Sequence, residues 1–279
     1  MGNTGLGKMI LHSTFNKNKR YQKELSDACL YGLDIPGYDV GWGAKCLNKK
    51  QSYRMIVCDS PFLGPRDINK IKHARVGLDH HLEGLGYFNN QDKPSDRAEM
   101  FMNLFDFKIK PYYYNDKGHI LLVVDRSGLY KSLGYEPDVW IKDTIQSIRN
   151  YTDRDIEVRF KNTDVNFARS IKNDIIDLFN NVFVTIPDRM MDVYDDFKDY
   201  FCVVVFTSNL AVSAAINGCP VFVTNRNSWA SRVGNNINNI NEPKLIDRTQ
   251  WLYNLSYSIW SFDEIANGTV AKHLNLKKD

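Results

Sequence analysis

The second half of the sequence alternates short strand-like runs with helical patterns, and this alternation limits the possible fold more than any other feature. Runs of four or five residues rich in β-branched side chains occur at 120–124, 155–159, 182–185, 202–206 and 220–224. Runs this short are typical of buried parallel strands. Between them, apolar residues recur at helical spacing. The alternation therefore predicts a doubly wound α/β domain in this part of the chain.

The first half is less regular, and it sets the predicted domain borders. Strands are predicted near 9–13 and 54–58, a helix at 19–31, and a loop-rich stretch at 77–98. Turn residues at 112–118 precede the strongest strand, so a border is expected there. At roughly 100–200 residues per domain, the 279 residues predict two lobes and a tail. These are an N-terminal lobe at 1–116, a Rossmann-like lobe at 117–247 and a C-terminal helical segment at 248–279.

Composition excludes several classes of protein. The chain is 43% hydrophobic and 25% charged, which is the balance of a globular protein and not of a disordered or fibrous one. It contains no run of about 18 apolar residues, so we expect neither a membrane span nor a membrane partner. The five cysteines are scattered without a CxxC spacing, which predicts reduced thiols in the cytoplasm. We expect a cytoplasmic monomer.

Positive charge is concentrated at the start of the chain. Residues 1–75 hold thirteen Lys/Arg and six Asp/Glu, a net charge of +7, whereas the whole chain has +3. This asymmetry predicts contact with an anionic partner, and the alternative is a solvated lysine-rich surface. The residues predicted to contact this partner are the clustered cations and a tryptophan between two glycines, which would stack on a base if the partner is DNA: Lys17, Lys19, Arg20, Trp42, Lys49, Lys50, Lys70 and Lys72.

The most informative chemical motif spans residues 206–221. Thr207, Ser208 and Asn209 follow a buried strand and precede a predicted helix rich in small residues, which ends at Gly218. The start of such a helix presents free N–H groups at the carboxyl edge of a parallel sheet, an arrangement that suits a diphosphate. The alternative is an ordinary strand–helix–strand unit that binds nothing.

This motif, with the polar loop at 225–230, resembles the donor-binding region of GT-B glycosyltransferases. The closest likeness is to a group of phage-encoded glycosyltransferases, some of them linked to DNA hypermodification, whose pattern runs SNxAVxxxIxGxPVF. The segment from Pro243 to Gly268 is similar to the closing pattern of that group, and the segment from Gly77 to Arg97 resembles its N-terminal pattern. The likeness runs in the same order from about Arg54 onward.

The resemblance implies an α/β chain of two Rossmann-like lobes in the GT-B architecture, with a C-terminal helix crossing back to the first lobe. It also implies that the second lobe binds a nucleotide-diphosphate sugar (UDP-glucose or a similar UDP-sugar) without an obligatory metal, because the acids at 192–196 fall on a predicted helix as its solvated face. The sequence departs from the group at 125–128 and 159–162, where contacts to the donor are expected. The predicted donor-binding residues are Arg126, Ser127, Gly128, Arg159, Thr207, Ser208, Asn209, Arg226, Ser228 and Trp229.

An inverting transfer also needs a base that accepts the proton of the acceptor hydroxyl. Asp79 and His80, in a glycine-bounded loop, are the first candidates, and Glu83 and Asp59 follow. Adjacent histidines on one loop rarely share an ion, so His80 and its neighbour predict no metal site.

These observations predict an enzyme that transfers a sugar from a nucleotide diphosphate to a hydroxymethylated pyrimidine in phage double-stranded DNA, in the host cytoplasm. Three alternatives remain open. They are a transferase for surface polysaccharide or lipid-linked sugar, a non-catalytic nucleic-acid-binding protein on the same scaffold, and a sugar-nucleotide epimerase.

Overall fold

The structure is a computed structural model that describes residues 10–11, 14–16, 18–49, 54–64, 72–188, 191 and 195–276. The strands are β1 (Ile10–Leu11), β2 (Tyr38–Trp42), β3 (Arg54–Asp59), β4 (His73–Leu78), β5 (His119–Val123), β6 (Ile156–Arg159), β7 (Val182–Thr185), β8 (Tyr200–Val205), β9 (Val221–Val223) and β10 (Ile259–Ser261). The α-helices are α1 (Arg20–Gly32), α2 (Asp96–Leu104), α3 (Ser127–Ser132), α4 (Pro137–Arg149), α5 (Val165–Leu178), α6 (Leu210–Ile216), α7 (Thr249–Ser256), α8 (Phe262–Ala266) and α9 (Thr269–His273).

The chain divides into two compact units, each with its own sheet. Unit 1 comprises Met1–Asp106 and Leu252–Asp279, and unit 2 comprises Phe107–Trp251. The predicted borders at 116 and 247 lie ten and four residues away from these divisions, which follow Asp106 and Trp251. The predicted fold class, α/β with two Rossmann-like lobes, is confirmed.

The sheet of unit 1 has the strand order β1-β2-β3-β4-β10. The first three strands are parallel, whereas β4 is antiparallel to β3 and β10 is antiparallel to β4. The core includes Leu25 and Cys29 of α1, Ile56 of β3 and Trp260 of β10. Sequence periodicity did not predict β4, because a charged residue, Arg75, occupies a buried position within it.

The C-terminal segment predicted as helical at 248–279 is not helical throughout. Helices α7 and α8 are separated by β10, whose three residues pair with β4. Pairing with an existing strand edge satisfies the backbone groups of this segment, so sheet formation overrides the local helical pattern. Helix α1 packs closely on the same segment, and a Cβ atom added at Gly32 would lie 1.6 Å from the Ile265 carbonyl oxygen.

The sheet of unit 2 is parallel, with the strand order β7-β6-β5-β8-β9. All five predicted strand runs are confirmed within one or two residues. One face packs on α4 and α5 through side chains that include Ile145 and Ile175. Helix α6 is buried along its whole length, as its small residues predicted. A helix was also predicted near 190–197. In the described part of that segment, Asp195, Asp196 and Phe197 have no helical structure.

No helix in the part of the chain that the structure describes is both long enough and apolar enough to cross a bilayer. All five cysteines are free and buried.

Candidate active site

The carboxyl ends of the five parallel strands of unit 2 lie along one edge of the sheet. We call the residues that follow these strands the unit 2 edge: 124–128, 160–162, 186–188, 206–209 and 224–229. Ligands of open α/β sheets bind at this kind of edge. Nine of the ten predicted donor-binding residues lie at this edge. They are Arg126, Ser127, Gly128, Thr207, Ser208, Asn209, Arg226, Ser228 and Trp229.

The turn after β8 is held by hydrogen bonds to other groups of the protein. Thr207 and Ser208 are buried, with exposures of 2% and 4%, whereas Asn209 is exposed. The Thr207 backbone N–H and hydroxyl both donate to the Asp125 carboxylate, at 3.1 and 3.0 Å. The Ser208 hydroxyl accepts from the backbone N–H of Leu210 at 3.4 Å. This turn is therefore fixed in position before any ligand binds.

Asp125 joins the ends of three neighbouring strands. It follows β5, and its side chain is 2% exposed. Besides Thr207 after β8, it accepts a hydrogen bond at 3.0 Å from the Lys161 ammonium, which follows β6. The backbone N–H of Asp125 donates to the hydroxyl of buried Tyr130 at 3.2 Å. A buried carboxylate is costly unless it is paired and hydrogen-bonded, and both conditions are met here.

Two arginines at the unit 2 edge are exposed and carry unpaired guanidinium groups. Neither Arg126, after β5, nor Arg226, after β9, makes a side-chain hydrogen bond or ion pair with another described residue. Arg159, which ends β6, differs from them. Its guanidinium donates to buried Glu157 at 2.8 Å and to the Tyr200 hydroxyl at 2.7 Å. The two exposed arginines are thus available to an anion, whereas the Arg159 guanidinium is 12% exposed and already donates to two groups of the protein.

The remaining predicted donor contacts are partly used within the fold. The Ser127 N–H donates to Asp164 Oδ2 at 2.7 Å, and Gly128 is exposed with open space around its Cα. The Ser228 hydroxyl accepts from the Ala230 N–H at 3.3 Å. Trp229 is 1% exposed, and its carbonyl accepts from the Trp251 indole at 2.8 Å. A nucleotide would meet the indole of Trp229 only after a rearrangement.

In unit 1, the candidate bases Asp59 and Asp79 lie at opposite ends of the antiparallel pair formed by β3 and β4. Asp59 ends β3, at the carboxyl edge of the parallel strands, where it pairs with Arg75. Arg75 is 1% exposed, and its guanidinium stacks 4.2 Å from the centre of the Phe62 ring. Burial raises the pKa of Asp59, but the charges of Arg75 and His81 outweigh it and hold that pKa below its usual value. Asp59 is therefore ionised at neutral pH.

Asp79 and His80 lie at the other end of this strand pair. Asp79 accepts two hydrogen bonds from Arg54, at 2.7 and 3.0 Å, in a left-handed backbone conformation with φ of +67°. His80 stacks on His81 with ring centres 4.6 Å apart, and burial together with the neighbouring histidine lowers its pKa to about 4. Glu83 follows in the same loop and is half-buried. None of the four candidate bases is tested by this geometry, and all stay predictions.

The predicted DNA-binding residues are described in part. Lys17, Lys50 and Lys70, with the side chain of Lys49, lie outside the described residues. Lys19 is exposed at the start of α1, while Arg20 and Lys72 both pair with Glu24.

The ring of Trp42 belongs to an aromatic cluster in unit 1. It packs against the rings of Phe15 and Tyr21, with centre distances of 6.3 and 5.6 Å, and it stays half-buried. Over the described ranges, no group of three or more His, Cys, Asp or Glu side chains is placed to hold a metal ion.

Sequence reasoning missed the pair of Asp125 and Lys161. Both residues lie in the segments that depart from the resembled pattern, yet Asp125 directly follows one predicted strand and Lys161 lies two residues after another. Carboxyl ends of neighbouring parallel strands meet at one edge, and this rule is the signal that would have found them.

Comparison with known proteins shows the fold. No protein-family model and no curated protein sequence matches the chain. Among solved structures, one of Thermosulfurimonas dismutans KpsC, described as a beta Kdo 2,7 transferase, is similar over 98% of this chain and 100% of that one, with a TM-score of 0.52 and 13% identity. A second KpsC structure, described as a beta Kdo 2,4 transferase, is similar over 89% of each chain, with a TM-score of 0.53 and 12% identity. The chain thus has the GT-B fold class.

Proposed function

We propose that this protein is a glycosyltransferase that binds a nucleotide-diphosphate sugar at the unit 2 edge. The observation that carries the proposal is that Arg126 and Arg226 are exposed and make no side-chain hydrogen bond or ion pair with another described residue, at the same edge as the hydrogen-bonded turn at Thr207 and Ser208. A guanidinium pairs with two phosphate oxygens at once, so these groups suit a diphosphate.

The reaction transfers a sugar to an acceptor hydroxyl, and negative charge develops on the departing diphosphate. Arg126 and Arg226 would stabilise that charge. An inverting reaction also needs a base for the hydroxyl proton. Of the four candidates, Asp59 has the best placement, because it ends a parallel strand of unit 1 at the carboxyl edge. Its pairing with Arg75 keeps it ionised, which a proton acceptor requires.

Calorimetry with UDP, UDP-glucose and the diphosphates of adenosine, guanosine and cytidine tests the donor. We expect the double variant R126A/R226A to weaken nucleotide binding by about tenfold or more. The exposed Lys172 of α5 is the matched control, because K172A removes a cation from the same unit away from its edge. Equal binding by the wild type and the double variant would remove the arginines from the site, and failure to bind any nucleotide would remove the proposed function.

The finer proposal is transfer of glucose from UDP-glucose to a hydroxymethylated pyrimidine in double-stranded DNA. It is supported by the net charge of +7 in residues 1–75 and by the exposed position of Lys19 at the start of α1. Phosphate contacts make such binding depend steeply on salt. Mass spectrometry of nucleosides from modified DNA, incubated with the protein and a panel of UDP-sugars, tests this acceptor.

A saccharide acceptor is the second candidate, and two observations favour it. The two solved structures reported above are described as Kdo transferases, so the activity in their descriptions involves a saccharide. In this chain Glu24 pairs with both Arg20 and Lys72, which reduces the positive charge offered to DNA. If the protein ignores duplex DNA at low salt yet binds a nucleotide, the saccharide acceptor replaces DNA.

A further inference from the structure

Lys161 is held at the unit 2 edge by a single partner. Its ammonium group donates to Asp125 at 3.0 Å, and within the described residues this is its one hydrogen bond. An ammonium group has three N–H donors, so two remain unused. The side chain is 25% exposed, and a ligand at the edge can therefore reach it.

Asp125 determines where that ammonium lies. Its carboxylate is 2% exposed and uses Oδ1 for Lys161 and Oδ2 for both donors of Thr207. One buried group thus fixes a cation after β6 and a backbone turn after β8, on the two strands that flank β5. Neighbouring strands lie about 5 Å apart, which places the cation and the turn on either side of one small region of the edge.

We propose that Lys161 binds a phosphate oxygen of the nucleotide-sugar donor and that Asp125 is a positioning residue acting through Lys161. This inference rests on the proposed function. Arg126 and Arg226 are exposed, and no other described residue holds their guanidinium groups by a hydrogen bond or ion pair, so the fold does not fix where these groups lie. Lys161 differs because its partner is buried and is itself hydrogen-bonded to Thr207, and Lys161 can therefore determine the position of the phosphate.

A double-mutant cycle separates positioning from general support of the fold. Calorimetry would measure the affinity of the wild type, D125N, K161M and the double variant for UDP and for the diphosphates of adenosine, guanosine and cytidine. We expect K161M to weaken binding of the preferred nucleotide by about tenfold or more. D125N should weaken it by a smaller factor, and its effect should be smaller in the K161M background than in the wild type, because only the loss of the Thr207 contacts remains there. K161R keeps the charge and the partner and should retain most of the affinity.

Thermal unfolding of each variant shows whether it is folded. K161M alone keeps the proposal testable if D125N does not fold, because Lys161 is partly exposed. Unchanged affinity in K161M overturns the binding role while the proposed function stands. Equal losses from D125N in both backgrounds overturn the positioning role. A wild type that binds none of the four nucleotides overturns the proposed function and, with it, this inference.

Discussion

Replacement of Arg97 by alanine should cost much of the stability of unit 1. The guanidinium donates to both carboxylate oxygens of Glu264, at 2.6 and 3.2 Å, and to the Ile259 carbonyl at 2.6 Å. It also lies 4.1 Å from the centre of the Trp260 ring. Breaking a buried pair leaves an uncompensated charge and costs about 3–5 kcal/mol. Glu264 is 26% exposed and Arg97 11%, so water relieves part of this, and we expect about 3 kcal/mol.

Urea denaturation, followed by tryptophan fluorescence, measures this cost. The matched control is R20A, because Arg20 pairs with Glu24 at 2.8 Å but is 72% exposed. An exposed pair of this kind is worth about 0.5 kcal/mol or less. Similar losses in R97A and R20A would refute the argument that burial makes the Arg97 pair important.

Three further predictions concern packing and protonation. G32A should cost at least about 2 kcal/mol in thermal unfolding, because its Cβ would meet the Ile265 carbonyl, whereas G128A, with open space, should not destabilise; equal melting temperatures would contradict this. An NMR titration should find His80 neutral down to about pH 5, since its pKa is about 4; a midpoint near 6.5 would refute it. The folded pKa of Glu157 is about 2, as its hydrogen bonds with His119 and Thr185 and the charge of Arg159 outweigh burial. Its contribution is therefore complete above about pH 5 and is lost as pH falls toward 2, so the stability difference between wild type and E157Q should shrink over that range and not grow.

The parallel sheet of unit 2 was predictable because its central strands are buried on both faces and are therefore rich in β-branched residues. The bounds of β7, Val182–Thr185, match the prediction. Strand β4 was not predicted because Arg75 breaks its apolar run, and a partner of this buried arginine, Asp59, lies on another strand. Strand β10 was not predicted because three residues are too few to show a strand pattern between the helical patterns on either side.

The same distinction applies to the candidate site. Thr207 and Ser208 are found from local sequence alone, because a strand end followed by small residues is a local signal. The contact of Asp125 with Lys161 depends on β6 lying next to β5. The order of strands in the sheet cannot be predicted from the local sequence of either segment. Unpaired arginines can be suggested from sequence, but whether Arg159 or Arg226 is unpaired depends on neighbours distant in the chain.

The discontinuity of unit 1 has a consequence for the order of events during synthesis. Unit 2 is a single stretch of chain, Phe107–Trp251, and is complete when its last residue leaves the ribosome. Strand β4 is still unpaired along one edge at that moment, because its partner β10 and helix α8 are translated after the whole of unit 2. Until then β4 is an open strand edge, which is a template for pairing with other chains. In nascent chains stalled before Ile259, we therefore expect unit 2 to resist protease and unit 1 to be cleaved.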